Sequence, residues 1–224
     1  MKNRTITVAV FSDIHTDMRY CMIKWIFIDV GSTLVDETDA YDHRVRDMVA
    51  GTGIAFEEFD TMRIVLAQQG FDGNSAAIEY FGLKKTPWHS EDERPFSDAH
   101  STLETLCRKG YKLGIIANQN LSLEKRLENW GLRPYFEVIA ASAEIGYAKP
   151  DKEIFERAFK LAGCTAQESV MVGDRLDNDI IPAKSVGMKT VWVKNGLAKY
   201  QNADLGKGVA DYQISSLSEL LCIF

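Results

Sequence analysis

The sequence lacks the features of several protein classes. Its 224 residues include only four cysteines, at positions 21, 107, 164 and 222. They are far apart and form no CxxC pair, so we expect reduced thiols rather than a disulfide framework. No apolar run approaches the roughly 18 residues that cross a membrane. The short apolar stretch 6–11 is interrupted at once by Ser12 and Asp13, which argues against a secretory signal. We therefore expect a cytoplasmic protein.

The sequence also lacks an excess of positive charge. It has 26 Lys and Arg against 32 Asp and Glu, a formal net charge of −6. The average field repels polyanions, which disfavours nucleic acid as the main partner. A small anionic substrate remains possible because a local site can oppose the average field. A hydrophobic content of 46% and this length fit one globular domain, with or without an insertion.

Short apolar runs recur along the chain at intervals too long for hairpins. Most are rich in β-branched residues, which is typical of strands buried on both faces in a parallel sheet. Helical patterns lie between several of them, so the sequence predicts a doubly wound, Rossmann-like α/β core. The predicted strands are 23–29, 112–117, 136–140, 170–173, 190–193 and, more weakly, 212–214.

One interval breaks this alternation. About eighty residues after the first strand contain no convincing buried strand, and the segments 41–49, 56–68 and 76–81 have helical patterns instead. An insertion at this place would lie above the carboxyl ends of the strands, where α/β proteins bind ligands. We predict a helical cap over residues 36–96, and an α/β core formed by residues 22–35 and 97–224.

Four short segments contain polar residues that could take part in chemistry; three follow predicted strands and one precedes a predicted helix. Alone, each has an ordinary explanation: a turn aspartate, a solvated lysine, or acids at a helix N-terminus. Three acids within six residues after one strand repel each other, so a cation is the simplest compensation, and oxygen ligands favour Mg²⁺. The four segments are Asp29-Val30-Gly31-Ser32-Thr33, Ala117-Asn118, Lys149-Pro150-Asp151, and Gly173-Asp174 with Asp177 and Asp179.

In this order, the four segments resemble the motifs of the haloacid dehalogenase superfamily of phosphatases and related hydrolases. The resemblance covers nearly all of the chain from Met22 onward. The family opens with a strand that ends in Asp-x-Asp-x-Thr, matched here by 29–33, and it continues with a strand ending in Ser or Thr. A Lys before a helix and a strand ending in Gly-Asp follow. The resemblance implies that the helical insertion is the family's cap.

The resemblance also implies roles for individual residues. Asp29 would attack phosphorus and form an aspartyl-phosphate that water then hydrolyses. Mg²⁺ would be held by Asp29, the backbone carbonyl of Gly31, Asp174 and, through water, Asp179. Lys149 would stabilise the nucleophile and the charge on the phosphoryl group. The partner of this site would be a small phosphorylated molecule.

The chain departs from the family pattern at two positions. Gly31 replaces the second Asp of the opening motif, which in the phosphatases protonates the leaving group and later activates water. Ala117 stands where the family has Ser or Thr, which leaves Asn118 as the nearest side chain that could bind the phosphate. The acids at 36, 37 and 39 could replace the missing proton carrier, although solvated loop charge is their ordinary role.

Two further functions stay open at this point. The superfamily's dehalogenases also lack the second Asp, so a metal-independent carbon–halogen hydrolase is one alternative. A catalytically weak protein that binds a phosphorylated ligand or a partner is the other. The acids after residue 173 supply more negative charge than a metal-free site tolerates, and we therefore favour the phosphatase.

The N-terminal 21 residues precede the family pattern. They contain Asp13-Ile14-His15, which resembles the opening Asp-x-His of the calcineurin-like phosphoesterases. Those enzymes need further histidine motifs, and His43, His89 and His100 do not match them. We reject a second active site and treat residues 1–21 as an extension of uncertain status.

Overall fold

The computed structural model describes residues 22–224 of the chain. The predicted extension, with Cys21 and the Asp13-Ile14-His15 pattern, lies outside these residues. In chain order, the described strands are β1 (Trp25–Ile28), β2 (Val35–Asp36), β3 (Arg94–Pro95), β4 (Lys112–Ala117), β5 (Phe136–Ala141), β6 (Ser169–Gly173), β7 (Lys189–Val193) and β8 (Tyr212–Ile214).

Eight α-helices lie between or beside these strands. They are α1 (Thr38–Val49), α2 (Phe56–Gln68), α3 (Gly73–Tyr80), α4 (Ala99–Arg108), α5 (Leu123–Asn129), α6 (Ser142–Ile145), α7 (Lys152–Ala162) and α8 (Ile181–Ser185). A turn of π-helix, Leu176–Ile180, precedes α8. None of the helices among residues 22–224 has both the length and the apolar character that a membrane crossing requires.

Six of the strands form one parallel sheet in the order β5-β4-β1-β6-β7-β8. The first strand is therefore central. Its last residue, Ile28, pairs with Ile115 of β4 and Val172 of β6, so these three strands run out at the same edge of the sheet. The predicted six-stranded, doubly wound α/β core is confirmed.

Helices cover both faces of the sheet, and alternate residues of β1 point to opposite faces. Ile26 and Ile28 pack in a buried cluster with Leu103 of α4. Phe27 packs on the other face with Phe155 of α7. Full burial of such a side chain stabilises the fold by about 1.5–3 kcal/mol, so the two layers hold the strand ends, and the residues that follow them, in fixed positions.

The segment between β1 and β4 is mainly helical, as the sequence indicates. Its helices α1, α2 and α3 share an apolar cluster of their own, built on Val45, Met48, Phe59 and Ala77. The sequence showed no strand in this interval, but β2 and β3 form a short antiparallel pair at its two ends. Two residues per strand are too few to produce a periodic pattern. The division of the chain into core and cap at 36 and 96 stays a prediction.

Candidate active site

Asp29 lies at the centre of the sheet edge where β4, β1 and β6 end. Its backbone N–H donates to the carbonyl oxygen of Val172 at 2.9 Å, which continues the ladder between β1 and β6 by one residue. The residue is 9% exposed. Burial raises the pKa of its carboxyl to about 6, and Lys149 limits the rise. The predicted nucleophile is thus a buried carboxyl at a rigid position.

Lys149 reaches the same point from the loop before α7. Its Nζ lies 2.5 Å from Oδ1 of Asp29 and 2.6 Å from Oδ1 of Asp179, and the residue is 4% exposed. Burial opposes the charged ammonium, but the carboxylates of Asp179 and Asp29 outweigh burial and raise its pKa above the ordinary value. The cation therefore stays charged and joins two of the predicted site residues.

Asn118 holds the backbone of that lysine. Its Nδ2 donates to the carbonyl oxygen of Lys149 at 2.8 Å, and its Oδ1 accepts from the N–H of Lys149 at 2.7 Å. Asn118 follows β4 directly, so the paired bonds tie the lysine loop to a strand end. One Nδ2 hydrogen remains after these bonds. The geometry therefore shows a positioning contact, and the predicted phosphate contact of Asn118 stays a prediction.

Three carboxylates converge at this edge of the sheet. Asp29, Asp174 and Asp179 each offer an oxygen, and these oxygens lie within 4.8 Å of one another. Burial, followed by the charges of Asp179 and Asp29, raises the pKa of Asp174 well above its ordinary value. Lys149 neutralises one of the three negative charges. A hard divalent cation with oxygen ligands fits the remaining charge and the donor type.

The acids after β6 are separated by the local backbone. Gly173 allows Asp179 to come close, because a Cβ at position 173 would lie 2.4 Å from Oδ2 of Asp179. Asp177 is exposed and pairs with Arg175, with 2.6 Å between Nη2 and Oδ2. Asp177 therefore lies apart from the carboxylates of Asp174 and Asp179, and Arg175 rather than a shared cation compensates its charge.

Asp174 is held by two contacts, neither of which the motif spacing reveals. The hydroxyl of Thr33 donates to its Oδ1 at 3.4 Å, and the indole Nε1 of Trp192 donates to its carbonyl oxygen at 2.7 Å. Thr33 is fully buried. The Thr of the opening motif thus connects the first and last segments of the predicted site.

The space that a side chain at position 31 would take is filled by Glu37. A Cβ on Gly31 would lie 2.5 Å from Oε1 and 2.6 Å from Oε2 of Glu37. Glu37 is 9% exposed, whereas Asp36 and Asp39 are exposed. Burial, and then the charges of Asp29 and Glu93, raise the pKa of Glu37 to about 8. Of the three acids considered after the first strand, Glu37 alone is buried in this space.

A tight turn brings Glu37 back toward Asp29. The N–H groups of Leu34 and Val35 both donate to the carbonyl oxygen of Val30, and Ser32 has a φ of +53°, a region that residues other than glycine seldom adopt. The hydroxyl of Ser32 donates to Oε2 of Glu37 at 3.2 Å. The turn therefore returns an acid from position 37 to the volume beside position 31.

A cleft of about 280 Å³ opens beside these residues. Ser32, Asp174 and Arg175 line it from the sheet, and Tyr41, Asp72 and Asn74 line it from the helical segment 36–96. Arg175 and Asp72 pair across the cleft, with 3.0 Å between Nη1 and Oδ2. Sequence reasoning missed Asp72 and Asn74, because helix packing rather than a strand end brings them here.

The chain matches the family model of haloacid dehalogenase-like hydrolases over residues 59–193. It is 30% identical over 227 residues to the glyceraldehyde 3-phosphate phosphatase of Methanothermobacter thermautotrophicus, an alignment that covers 89% of this chain and 100% of the relative. It is 31% identical over 222 residues to the pyrimidine 5'-nucleotidase YjjG of Escherichia coli, which covers 88% and 95% of the two chains.

A solved structure has the same fold. The crystal structure of a haloacid dehalogenase-like phosphatase from Thermococcus onnurineus superposes with a TM-score of 0.62 at 28% sequence identity. The superposition covers 90% of this chain and 97% of that chain.

Proposed function

The chain belongs to the haloacid dehalogenase-like hydrolases, and from this membership we propose that it is a phosphatase that acts on a small phosphate ester with Mg²⁺ as cofactor. The observation that carries the proposal is the buried contact of Lys149 with Asp29 beside the carboxylates of Asp174 and Asp179. The relatives named above are phosphatases of a sugar phosphate and of nucleotides, which supports a small phosphorylated substrate.

Each site residue has its own role in the proposed reaction. An oxygen of Asp29 attacks phosphorus, the bond to the leaving oxygen breaks, and water then attacks phosphorus and regenerates the carboxylate. Lys149 orients Asp29 and neutralises charge on the transferred group. Asn118 positions Lys149 through its backbone, and we propose that its remaining N–H donates to a phosphate oxygen.

Asp29, the carbonyl of Gly31 and Asp174 would hold Mg²⁺, with Asp179 acting through water. The bound ion supplies charge neutralisation and orientation of the phosphoryl oxygens. The donor set supports this assignment, because three carboxylates lie within 4.8 Å of one another and Lys149 pairs with only two of them, Asp29 and Asp179.

The helical segment 36–96 would act as the cap that excludes water and selects the leaving group. Its contribution to the cleft, through Tyr41, Asp72 and Asn74, supports this role. We propose the cytoplasm as the compartment, since the three described cysteines, Cys107, Cys164 and Cys222, are free thiols.

The test is turnover of a panel of phosphate esters with Mg²⁺ and with EDTA, combined with mass spectrometry of the trapped enzyme. We expect metal-dependent release of phosphate, and a phosphoryl mass added at Asp29 that is lost in Asp29→Asn. Lys149→Ala should weaken trapping without moving the label. Labelling of another carboxylate, or none despite measurable turnover, would contradict the nucleophile assignment.

The same panel separates the two alternatives. A metal-independent dehalogenase would release halide from a haloacid equally well in EDTA. A protein that only binds phosphorylated ligands would show affinity without turnover, and Ala117, which is fully buried and offers no hydroxyl at the end of β4, is the observation that favours it.

A further inference from the structure

The structure places a carboxyl group beside position 31, where the sequence itself has no acid. Position 31 is a glycine, yet the volume next to its Cα holds the two carboxylate oxygens of Glu37, at 2.5 and 2.6 Å from where a Cβ would be. Position 31 is two residues after Asp29, the proposed nucleophile.

Local folding does not account for the burial of Glu37. It occupies the N-cap position of α1 but makes no side-chain capping hydrogen bond. Asp36 bonds to that helix start instead, since its Oδ1 accepts from the N–H and the hydroxyl of Thr38 at 2.9 and 2.6 Å. A glutamate whose only task was to begin the helix would remain exposed, as Asp36 does.

Charge pairing does not account for it either. The neighbouring buried acid Glu93 pairs with Arg126 and accepts a hydrogen bond from the indole of Trp88 at 2.7 Å. Among residues 22–224, Glu37 pairs with no cation, and its recorded side-chain bond is the one from Ser32. A carboxyl buried with so few partners costs free energy, and such groups concentrate at functional sites.

We propose that Glu37 is the general acid and base of the phosphatase reaction, in place of the acid that Gly31 lacks. This inference rests on the proposed function. As the oxygen of Asp29 bonds to phosphorus, the bond from phosphorus to the leaving oxygen breaks and its electron pair stays on that oxygen. The oxygen takes a proton from the Glu37 carboxyl. In the second step the Glu37 carboxylate removes a proton from the water that attacks phosphorus, and the bond from phosphorus to the Asp29 oxygen breaks with its electron pair on that oxygen. Phosphate is released, Asp29 is again a carboxylate and Glu37 is again a protonated carboxyl.

The test compares two aryl esters of similar shape, p-nitrophenyl phosphate and phenyl phosphate. Phenol is the weaker acid and needs protonation more. General acid catalysis contributes about 10²- to 10⁴-fold, so Glu37→Gln should lose phenyl phosphate turnover by that factor and p-nitrophenyl phosphate turnover by much less. Asp39→Asn is the matched control, because it removes an exposed acid two residues away and should keep both rates.

A rescue variant moves the acid back to position 31. Gly31→Asp alone would force Glu37 aside, so it is combined with Glu37→Ala. The double variant should turn over phenyl phosphate faster than Glu37→Ala alone. Should Glu37→Gln unfold, Glu37→Asp, which retracts the carboxyl by one methylene, should show the same selective loss.

Four outcomes would overturn the inference. The first is an equal loss for both esters in Glu37→Gln, and the second is a selective loss in Asp39→Asn. The third is absence of turnover of both esters in the wild type, which would overturn the proposed function as well. Wild-type turnover that depends on Asp29 but is indifferent to Glu37 would leave the phosphatase standing and remove only the role of Glu37.

Discussion

The two sides of the cleft are built differently. On the sheet side, Asp174 lines the cleft, and beside it Lys149 bonds to the buried carboxylates of Asp29 and Asp179. On the helical side, Asp72 is partly exposed and pairs with Arg175, whose side chain is 39% exposed. Water screens the charges of the helical side but hardly those of the sheet side.

The contrast assigns a separate task to each side of the cleft. Buried charges at fixed strand ends act directly on the reacting atoms. Variants at these positions should therefore alter kcat and metal binding. Exposed pairs between helix and loop exchange readily with water, so variants there should alter KM and leave kcat nearly unchanged. Four experiments test this assignment of tasks to the two sides.

The largest effect is expected for Asp29→Asn on the sheet side. Loss of the nucleophile should lower kcat by on the order of 10⁴-fold or more, as for other covalent enzymes. Steady-state kinetics with p-nitrophenyl phosphate measures it. Asp151→Asn, which removes an exposed acid near Lys149, is the control and should keep kcat. Retention of kcat in Asp29→Asn would remove the basis of the contrast.

The next effect is a pH dependence of stability in EDTA. The pKa of Glu37 is raised from 4.5 to about 8, so the folded state holds a proton that the unfolded state loses as the pH rises above about 4.5. Stability from this group is therefore complete below about pH 4.5 and falls as the pH approaches 8, by on the order of 4 kcal/mol. Urea unfolding of the wild type should show the decrease, and Glu37→Gln should make it smaller, with the remainder due to the raised pKa values of Asp29 and Asp174. A wild type whose unfolding free energy rises over this range would contradict the assignment.

A smaller effect concerns the metal. Mg²⁺ that binds only the folded state should raise the free energy of unfolding by about 2.7 kcal/mol at a concentration 100 times its Kd. Thermal unfolding should show the rise in the wild type and not in Asp174→Asn. Asp177→Asn is the matched control, because Asp177 follows the same strand but faces Arg175; it should respond as the wild type does. A wild-type Tm indifferent to millimolar Mg²⁺ would refute the metal assignment.

The smallest effect is expected on the helical side. Asp72→Asn breaks a partly exposed ion pair, and such pairs contribute about 0–1 kcal/mol. Its Tm should change little, and KM should change a few-fold with kcat preserved. Asp204→Asn, which breaks an exposed pair with Lys207 outside the cleft lining, should change neither constant. A large fall of kcat in Asp72→Asn would mean that the helical side takes part in the chemistry.

Residues that follow strands were predictable from the sequence. Asp29 follows β1, Asn118 follows β4 and Asp174 follows β6, and parallel strands that end together bring such residues to one edge. The apolar runs located these strands, and their parallel pairing brings the residues that follow them to one edge of the sheet. Lys149 was found by its motif rather than by a strand, and Asn118 now explains how the sheet edge holds it.

The remaining features depend on backbone angles and helix packing, which single-sequence patterns do not contain. The sequence identifies Glu37 only as one of three candidate acids. The turn at Ser32 determines that Glu37 is the acid that lies beside position 31. The outward direction of Asp177 depends on the π-helical turn. Asp72 enters the cleft from the N-cap position of α3, and no spacing rule connects it with Arg175, 103 residues away.

The ammonium of Lys149 has a consequence for the order of assembly. A counter-ion attached to the chain is present from synthesis onward, so it screens the repulsion between Asp29 and Asp179 during folding itself. Small zinc domains, by contrast, remain unfolded until their ion arrives. With Lys149 between these two carboxylates, the fold does not need a metal ion to offset their repulsion, and the proposed ion can bind after the chain has folded.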